Sequence, residues 1–183
     1  MIGATNDEMT RTFASMDLQC EGKKLSFSGT GGNRIRIVFR MQEPHQMVYL
    51  ARLLAHLSYD EIHFRGSYLW VTASDIWNPL EEAVALKTLE QFRRSHGENR
   101  SVEAAPGTYF RHDEFVESVC CLMQPMLVGW DAYYVPTWGW GGLQYFVAVS
   151  HDGYADVEVR TPETYDPIMK ILAGHDWIRP LMK

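Results

Sequence analysis

The sequence predicts an α+β domain in which antiparallel sheet meanders pack against three to four helices. Short runs of alternating apolar and polar residues follow one another directly, as strands joined by tight turns do, instead of alternating strictly with helices. Turn residues punctuate those runs at Glu21-Gly22, Arg65-Gly66 and Asp152-Gly153. Four other stretches carry apolar residues at helical spacing, near 44–57, 79–95, 112–127 and 162–173.

Residues 1–10 are polar and aperiodic and read as a flexible N-terminal arm, leaving 11–183 as one α+β domain. Residues 13–20, 24–28 and 34–41 read as the strands of a first meander, with the glycine-rich stretch from Gly29 to Asn33 as a turn. That loop precedes a strand, whereas phosphate-binding glycine loops open a helix, so it reads as a plain hairpin. In the third strand Ile35, Ile37 and Phe39 face one way and Arg34, Arg36 and Arg40 the other. The basic face reads as a solvated surface that discourages edge pairing, with a strip for an acidic partner as the alternative.

Pro44 suits the first turn of a helix that repeats Met47, Leu50, Ala51, Leu54 and Leu57 on its inner side. His45 and His56 are three turns apart on it, able to share a face but too distant to chelate one ion. Residues 61–64 and 67–72 read as two strands around Arg65-Gly66. Asn78 as cap, Pro79 behind it and the acidic Glu81 and Glu82 open the next helix, with Ala85, Leu89 and Phe92 inward. Arg93, Arg94 and His96 ahead of Gly97 form its basic end.

Residues 98–108 read as a connector with a turn at Pro106-Gly107. The third helix carries two overlapping stripes, Phe115/Val119/Leu122/Met126 and Val116/Cys120/Met123/Leu127, which put Cys120 inside and Cys121 outside. Pro125 is a potential kink and Gly129 a left-handed stop. A three-strand meander follows over 130–135, 143–149 and 154–160, then a helix begun by Thr161-Pro162-Glu163, with Trp177-Ile178 docking after it.

At 183 residues, 46% hydrophobic and 22% charged, the chain can bury one sizeable core. A net charge of -6 and a pI near 5.6 argue against nucleic acid as the partner. No apolar run reaches the roughly 18 to 20 residues of a membrane helix, which predicts no membrane partner. Three cysteines make no disulfide framework and Met1 opens a polar segment, so the expected compartment is the cytoplasm.

Leu69-Trp70, Ile76-Trp77, the run from Phe92 to Arg100, Glu103-Ala104-Ala105-Pro106-Gly107, Gly129-Trp130-Asp131-Ala132-Tyr133 and Ser150-His151-Asp152 together resemble an uncharacterised group of bacterial hypothetical proteins, over residues 69–160. That resemblance implies no activity and no site.

Two functional readings stand. The first is a non-catalytic binding module of immunity or adaptor type, using the aromatic, glycine-rich loop from Pro136 to Gly142 as its contact surface. Trp138 and Trp140 are the anchors there, flanked by Tyr133 and Tyr145, for a protein partner or a second copy in a homodimer. It requires no cofactor and no metal. The second is a metal-dependent hydrolase built from His112, His151 and Asp152, since His and carboxylate suit a hydrolytic metal centre. Adjacent His-Asp residues point to different faces, and His112-Asp113 and His151-Asp152 also fit a helix start and a hairpin turn. Cys120 and Cys121 lack a nucleophile signature, and neither a Walker loop nor a dinucleotide fingerprint is present.

Overall fold

The computed structural model describes residues 1–29, 32–39, 43–57, 64–73, 79–139, 142–178 and 180–182. Among these the chain forms strands β1 (Ile2–Ala4), β2 (Leu18–Glu21), β3 (Lys24–Phe27), β4 (Asn33–Val38), β5 (Phe64–Ala73), β6 (Gly107–Arg111), β7 (Asp131–Trp138), β8 (Tyr145–Ser150), β9 (Tyr154–Val159) and β10 (Pro180–Met182). The helices are α1 (Asn6–Ala14), α2 (Pro44–Ala55), α3 (Pro79–Ser95), α4 (Phe115–Val128) and α5 (Pro162–Ala173). The fold is α+β as expected, with five helices where three to four were read.

Eight strands make one antiparallel sheet in the order β1-β6-β5-β7-β8-β9-β4-β10, and β2-β3 is a separate two-stranded ribbon. Alternation along the central strands makes both faces apolar. Leu69, Val71, Tyr134, Tyr145 and Val147 face a core shared with α2, α3, α4 and α5, while Trp70, Val135 and Phe146 face Met9 and Phe13 of α1 and Leu18 and Leu25 of the ribbon. The result is three layers: four helices, the sheet, and a smaller cap of α1 with β2-β3.

Several sequence expectations are corrected. Residues 1–10 form β1 and the start of α1, because Thr5 and Glu8 make a reciprocal capping box: the Glu8 amide donates to Thr5 Oγ1 at 3.3 Å and the Thr5 amide to Glu8 Oε2 at 2.7 Å. Residues 6–14 are therefore helical, and the strand expected over 13–20 begins only at Leu18. The first meander does not exist as read, since β3 stays in the ribbon while β4 joins the large sheet between β9 and β10. The strands expected on either side of Arg65-Gly66 are one strand, β5. Thr30, Gly31, Arg40, residues 61–63 and the cap expected at Asn78 lie outside the described residues.

The arginine face of β4 is not a free basic strip. Arg34 pairs with Glu158, and Arg36 holds Asp156 through two contacts of 2.6 Å while its guanidinium lies 3.7 Å from the Tyr154 ring centre. Cross-strand register puts these charges opposite one another, so acidic β9 neutralises β4.

At the β1 edge, side chains substitute for a further strand. The Gly3 amide donates to Glu98 Oε2 at 2.7 Å and Arg100 Nη2 donates to the Gly3 carbonyl at 2.7 Å, so the backbone groups that face away from β6 are occupied. A Cβ on Gly3 would lie 2.1 Å from Glu98 Oε2 and 2.7 Å from Arg93 Nη2, so a larger residue there would have to displace the ends of both side chains. Arg93 stands in the basic last turn of α3 as read, is 1% exposed beneath this clamp, and burial pulls its guanidinium pKa down.

In α4 the buried set is Ser118, Cys121, Leu122, Pro125 and Met126. Phe115, Val119, Leu122 and Met126 pack toward the core as read. Of the second stripe only Met123 packs against the core, because Val116 and Leu127 are 69% and 51% exposed. Cys120 is thus exposed and Cys121 buried, the reverse of the expectation. Gly129 ends the helix in the left-handed region at φ 71°, as read.

Two outcomes are expected. Native-state thiol labelling should modify Cys120 quickly and leave Cys121 unreacted until unfolding, since burial raises the Cys121 pKa and excludes reagent; equal rates would overturn this packing of α4. The Arg100 guanidinium holds the Glu98 carboxyl down at about 2, against 4.5 ordinarily. A depressed carboxyl pKa contributes stability present above pH 4.5 and lost as pH falls toward 2. Allowing for solvent at Arg100, this contribution is on the order of 2 kcal/mol, so Glu98→Gln should destabilise the protein at neutral pH and flatten its acid-unfolding profile.

Candidate functional site

The sheet end that carries Phe64, Arg111 and Trp138 opens into a cleft of about 590 Å³ between α2 and α4. Tyr49, Arg52 and Leu53 line one wall from α2, His56 extends it from the residue that caps this helix, and Phe64, His112 and Phe115 complete it. The α2 residues recur at i, i+3 and i+4, which is one face of a helix. That segment contains no acidic residue between Pro44 and Ala55.

Phe64 reaches this side of the sheet through a backbone irregularity. Ser67, Leu69 and Val71 are buried and Leu69 and Val71 face the helices, so strict alternation would put Phe64 with Tyr68 and Trp70 on the opposite face. The register against β7 slips between Phe64 and Gly66, a bulge that reverses the direction of Phe64. Gly66 has φ 144°, and a Cβ there would lie 2.3 Å from the Phe110 carbonyl oxygen, so only glycine fits.

The floor is a cluster of rings. Phe64 and Phe115 are 5.9 Å apart at 86°, and His56 is 6.0 Å from each of them. Trp138 packs behind, 6.2 Å from Phe64, 6.3 Å from His56 and 5.4 Å from Tyr145. Edge-to-face pairs at these separations each contribute about 0.5–1.5 kcal/mol beyond area burial. At the mouth, Tyr49 meets His175 at 5.2 Å and Trp177 at 6.0 Å, both edge-on. Arg52 and His112 are exposed beside it.

Tyr145 fixes the end of α2 that forms this wall. Its hydroxyl accepts from the Leu57 amide at 2.8 Å and donates to the Leu54 carbonyl at 3.1 Å, occupying two backbone groups that a helix end leaves open. Burial raises the Tyr145 pKa well above that of an ordinary phenol, so the hydroxyl remains protonated as this donor.

The expected binding residues are therefore divided. Trp138 and Tyr145 come together on the helix side, with Tyr145 only 1% exposed, a position that serves the fold and offers no contact surface. Tyr133 lies on the opposite face against Trp70 and Phe146. Trp138 is the last residue of β7 and packs on the core, so it is not an anchor on an exposed loop. Pro136, read as the start of that loop, is buried within the strand. Trp140 lies outside the described residues.

The residues of the hydrolase reading do not converge. His112 follows β6 at the cleft, beside the Gly66–Arg111 pairing, whereas His151 contacts Asp131 at 2.8 Å where Ala73 pairs with Asp131. Those pairings are seven residues apart along β5, roughly 23 Å in an extended strand. Asp152 stays with His151, its Oδ1 3.7 Å from Nε2. Among the described residues no three His, Cys, Asp or Glu side chains are placed to share a metal ion.

Tyr49, Arg52, Phe64 and Phe115 were not singled out as site residues from the sequence. The available signal was the acid-free α2 segment in a chain of net charge -6. Comparison with known proteins finds no matching family model, no matching curated protein and no matching solved structure.

Trp138→Ala should lower stability by about 2–3 kcal/mol, because it removes the support behind Phe64, His56 and Tyr145. Thermal melting tests this. An unchanged melting temperature would mean that the indole contributes little to the core.

Proposed function

We propose that this protein is a non-catalytic binding module, of immunity or adaptor type, that engages a protein partner through the cleft between α2 and α4. The observation that carries the reading is the cleft's composition: an aromatic floor of Phe64 and Phe115 beneath a rim of Tyr49, Arg52 and His112. Aromatic and arginine side chains around a partly desolvated recess are the usual anchors of protein interfaces. Trp138, the last residue of β7, backs the floor.

The separation of His112 from His151 and Asp152 supports binding over the hydrolase alternative, since those groups would have to act on one substrate atom. The rigid elements around the cleft also favour recognition, because α2 is fastened through Tyr145 and Phe64 is set by the bulge.

Affinity capture from the source cells should recover a partner with the wild-type protein and with Val84→Ala, a substitution on the exposed surface of α3. Tyr49→Ala with His112→Ala should lose at least about tenfold in capture, the effect expected from one aromatic hot spot. The same proteins captured at the same yield by the cleft variant would remove the cleft as the binding surface.

A further inference from the structure

The geometry points to a specific chemistry for the cleft: it receives a segment of the partner that presents a carboxylate beside an aromatic side chain. This inference rests on the binding reading above and names what the partner brings.

The first observation is the division of polarity between floor and rim. Phe64 and Phe115 offer ring faces and edges at the bottom, where a planar apolar group gains most from leaving water. Arg52 and His112 stand at the mouth, where a charged group can keep part of its hydration. A ligand that fits both zones is apolar at one end and anionic at the other. The cleft's volume of about 590 Å³ falls in the range of small-ligand pockets, enough for a large side chain with its neighbour.

The second observation is charge. The chain carries 23 acidic against 17 basic side chains, yet among the described residues none that lines the cleft is acidic. Among the described residues Arg52, like Arg11, Arg65 and the buried Arg93, has no carboxylate within ion-pair distance, whereas Arg34, Arg36, Arg94, Arg100, Arg111 and Arg160 all do. The nearest acidic neighbour in sequence to His112 is Asp113, which contacts Arg111 at 3.5 Å. An arginine fork without a carboxylate partner among the described residues suits a carboxylate ligand, which it can bind through two parallel N–H donors. On an acidic protein such a spot also selects the docking position, since an acidic segment is repelled elsewhere.

The third observation concerns Tyr49. Its ring is met edge-on by His175 and Trp177, which holds it upright as a wall. A side chain entering over Phe115 would pass between this wall and the floor.

The test uses two capped dipeptides, acetyl-Phe-Asp-amide and acetyl-Phe-Asn-amide, titrated into the whole protein and followed by backbone amide NMR. The acid should bind about five-fold more tightly than the amide, the size of one partly screened charge-assisted contact. Its shifts should centre on Tyr49, Arg52 and Phe115. Arg52→Gln should abolish the difference between the two peptides while leaving the melting temperature unchanged, because Arg52 is exposed. Equal binding of both peptides, binding of neither, or a preference that survives Arg52→Gln would each overturn the inference. If 3-phenylpropionate alone bound as tightly as the acidic dipeptide, the cleft would be a small-molecule site and the protein segment would be overturned. Dimerisation abolished by Arg52→Gln would likewise assign the cleft to a second copy of the chain. If the dipeptides fail while the Tyr49/His112 variant still loses its partner, the carboxylate chemistry alone is wrong. If that variant keeps its partner, the cleft itself is wrong.

Discussion

The structure depends on the pairing of β5 with β7, both of which are buried from two sides. Leu69 and Val71 of β5 face the helices while Trp70 faces α1 and the ribbon, and Tyr134 and Val135 of β7 divide in the same way. A strand that is apolar on both faces cannot be solvated on either, so layers on both sides are required. The four-helix layer covers the larger face, and α1 with β2-β3 covers Trp70, Val135 and Phe146. Without the small cap those three side chains would form an exposed apolar patch.

The ends of the sheet follow from this arrangement. The strand nearest each chain terminus lies at an edge, β1 at one and β10 at the other. At β1 the backbone groups of Gly3 are taken by Glu98 and Arg100, so charged side chains occupy the place of a further strand. Arg93 is enclosed beneath them with two guanidinium nitrogens, Nε and Nη2, that lack a hydrogen-bond partner among the described residues. Its charge is balanced by the Glu98 carboxylate at longer range. A buried cation in this state contributes less to stability than a well-packed apolar residue of similar size would.

The cleft arises where three local solutions meet. The bulge at Gly66 sends Phe64 to the helix side, Tyr145 fastens the end of α2, and Glu114 begins α4 just after His112. None of these alone makes a recess. Together they leave the ring cluster covered on the core side by Trp138 and open toward Arg52 and His112. A site assembled from helix and strand ends is held more firmly than one on a loop tip.

Local physical chemistry in the sequence determined the fold class, the positions of α2, α3 and α5, the left-handed stop at Gly129 and the hairpin at Gly153, because helical periodicity, Pro starts and glycine stops act within a few residues. The capping box at Thr5 and Glu8 was legible in the same way and would have placed α1. The order of strands was not legible, since β3 and β4 are adjacent in sequence and the choice between a shared hairpin and separate sheets rests on distant partners such as β9. The phase of α4 was likewise undetermined: two apolar stripes compete, and only packing against the sheet and the neighbouring helices buries Cys121 and exposes Cys120, Val116 and Leu127. The tertiary structure also withdrew Tyr145 into the interior, set Trp138 half-buried against the core, and brought Tyr49, Arg52, Phe64, His112 and Phe115 to one cleft. Sequence periodicity says which side of an element is apolar, but burial is settled by the partner surface, and residues so far apart in the chain become neighbours only when the sheet and its helices close around a common core.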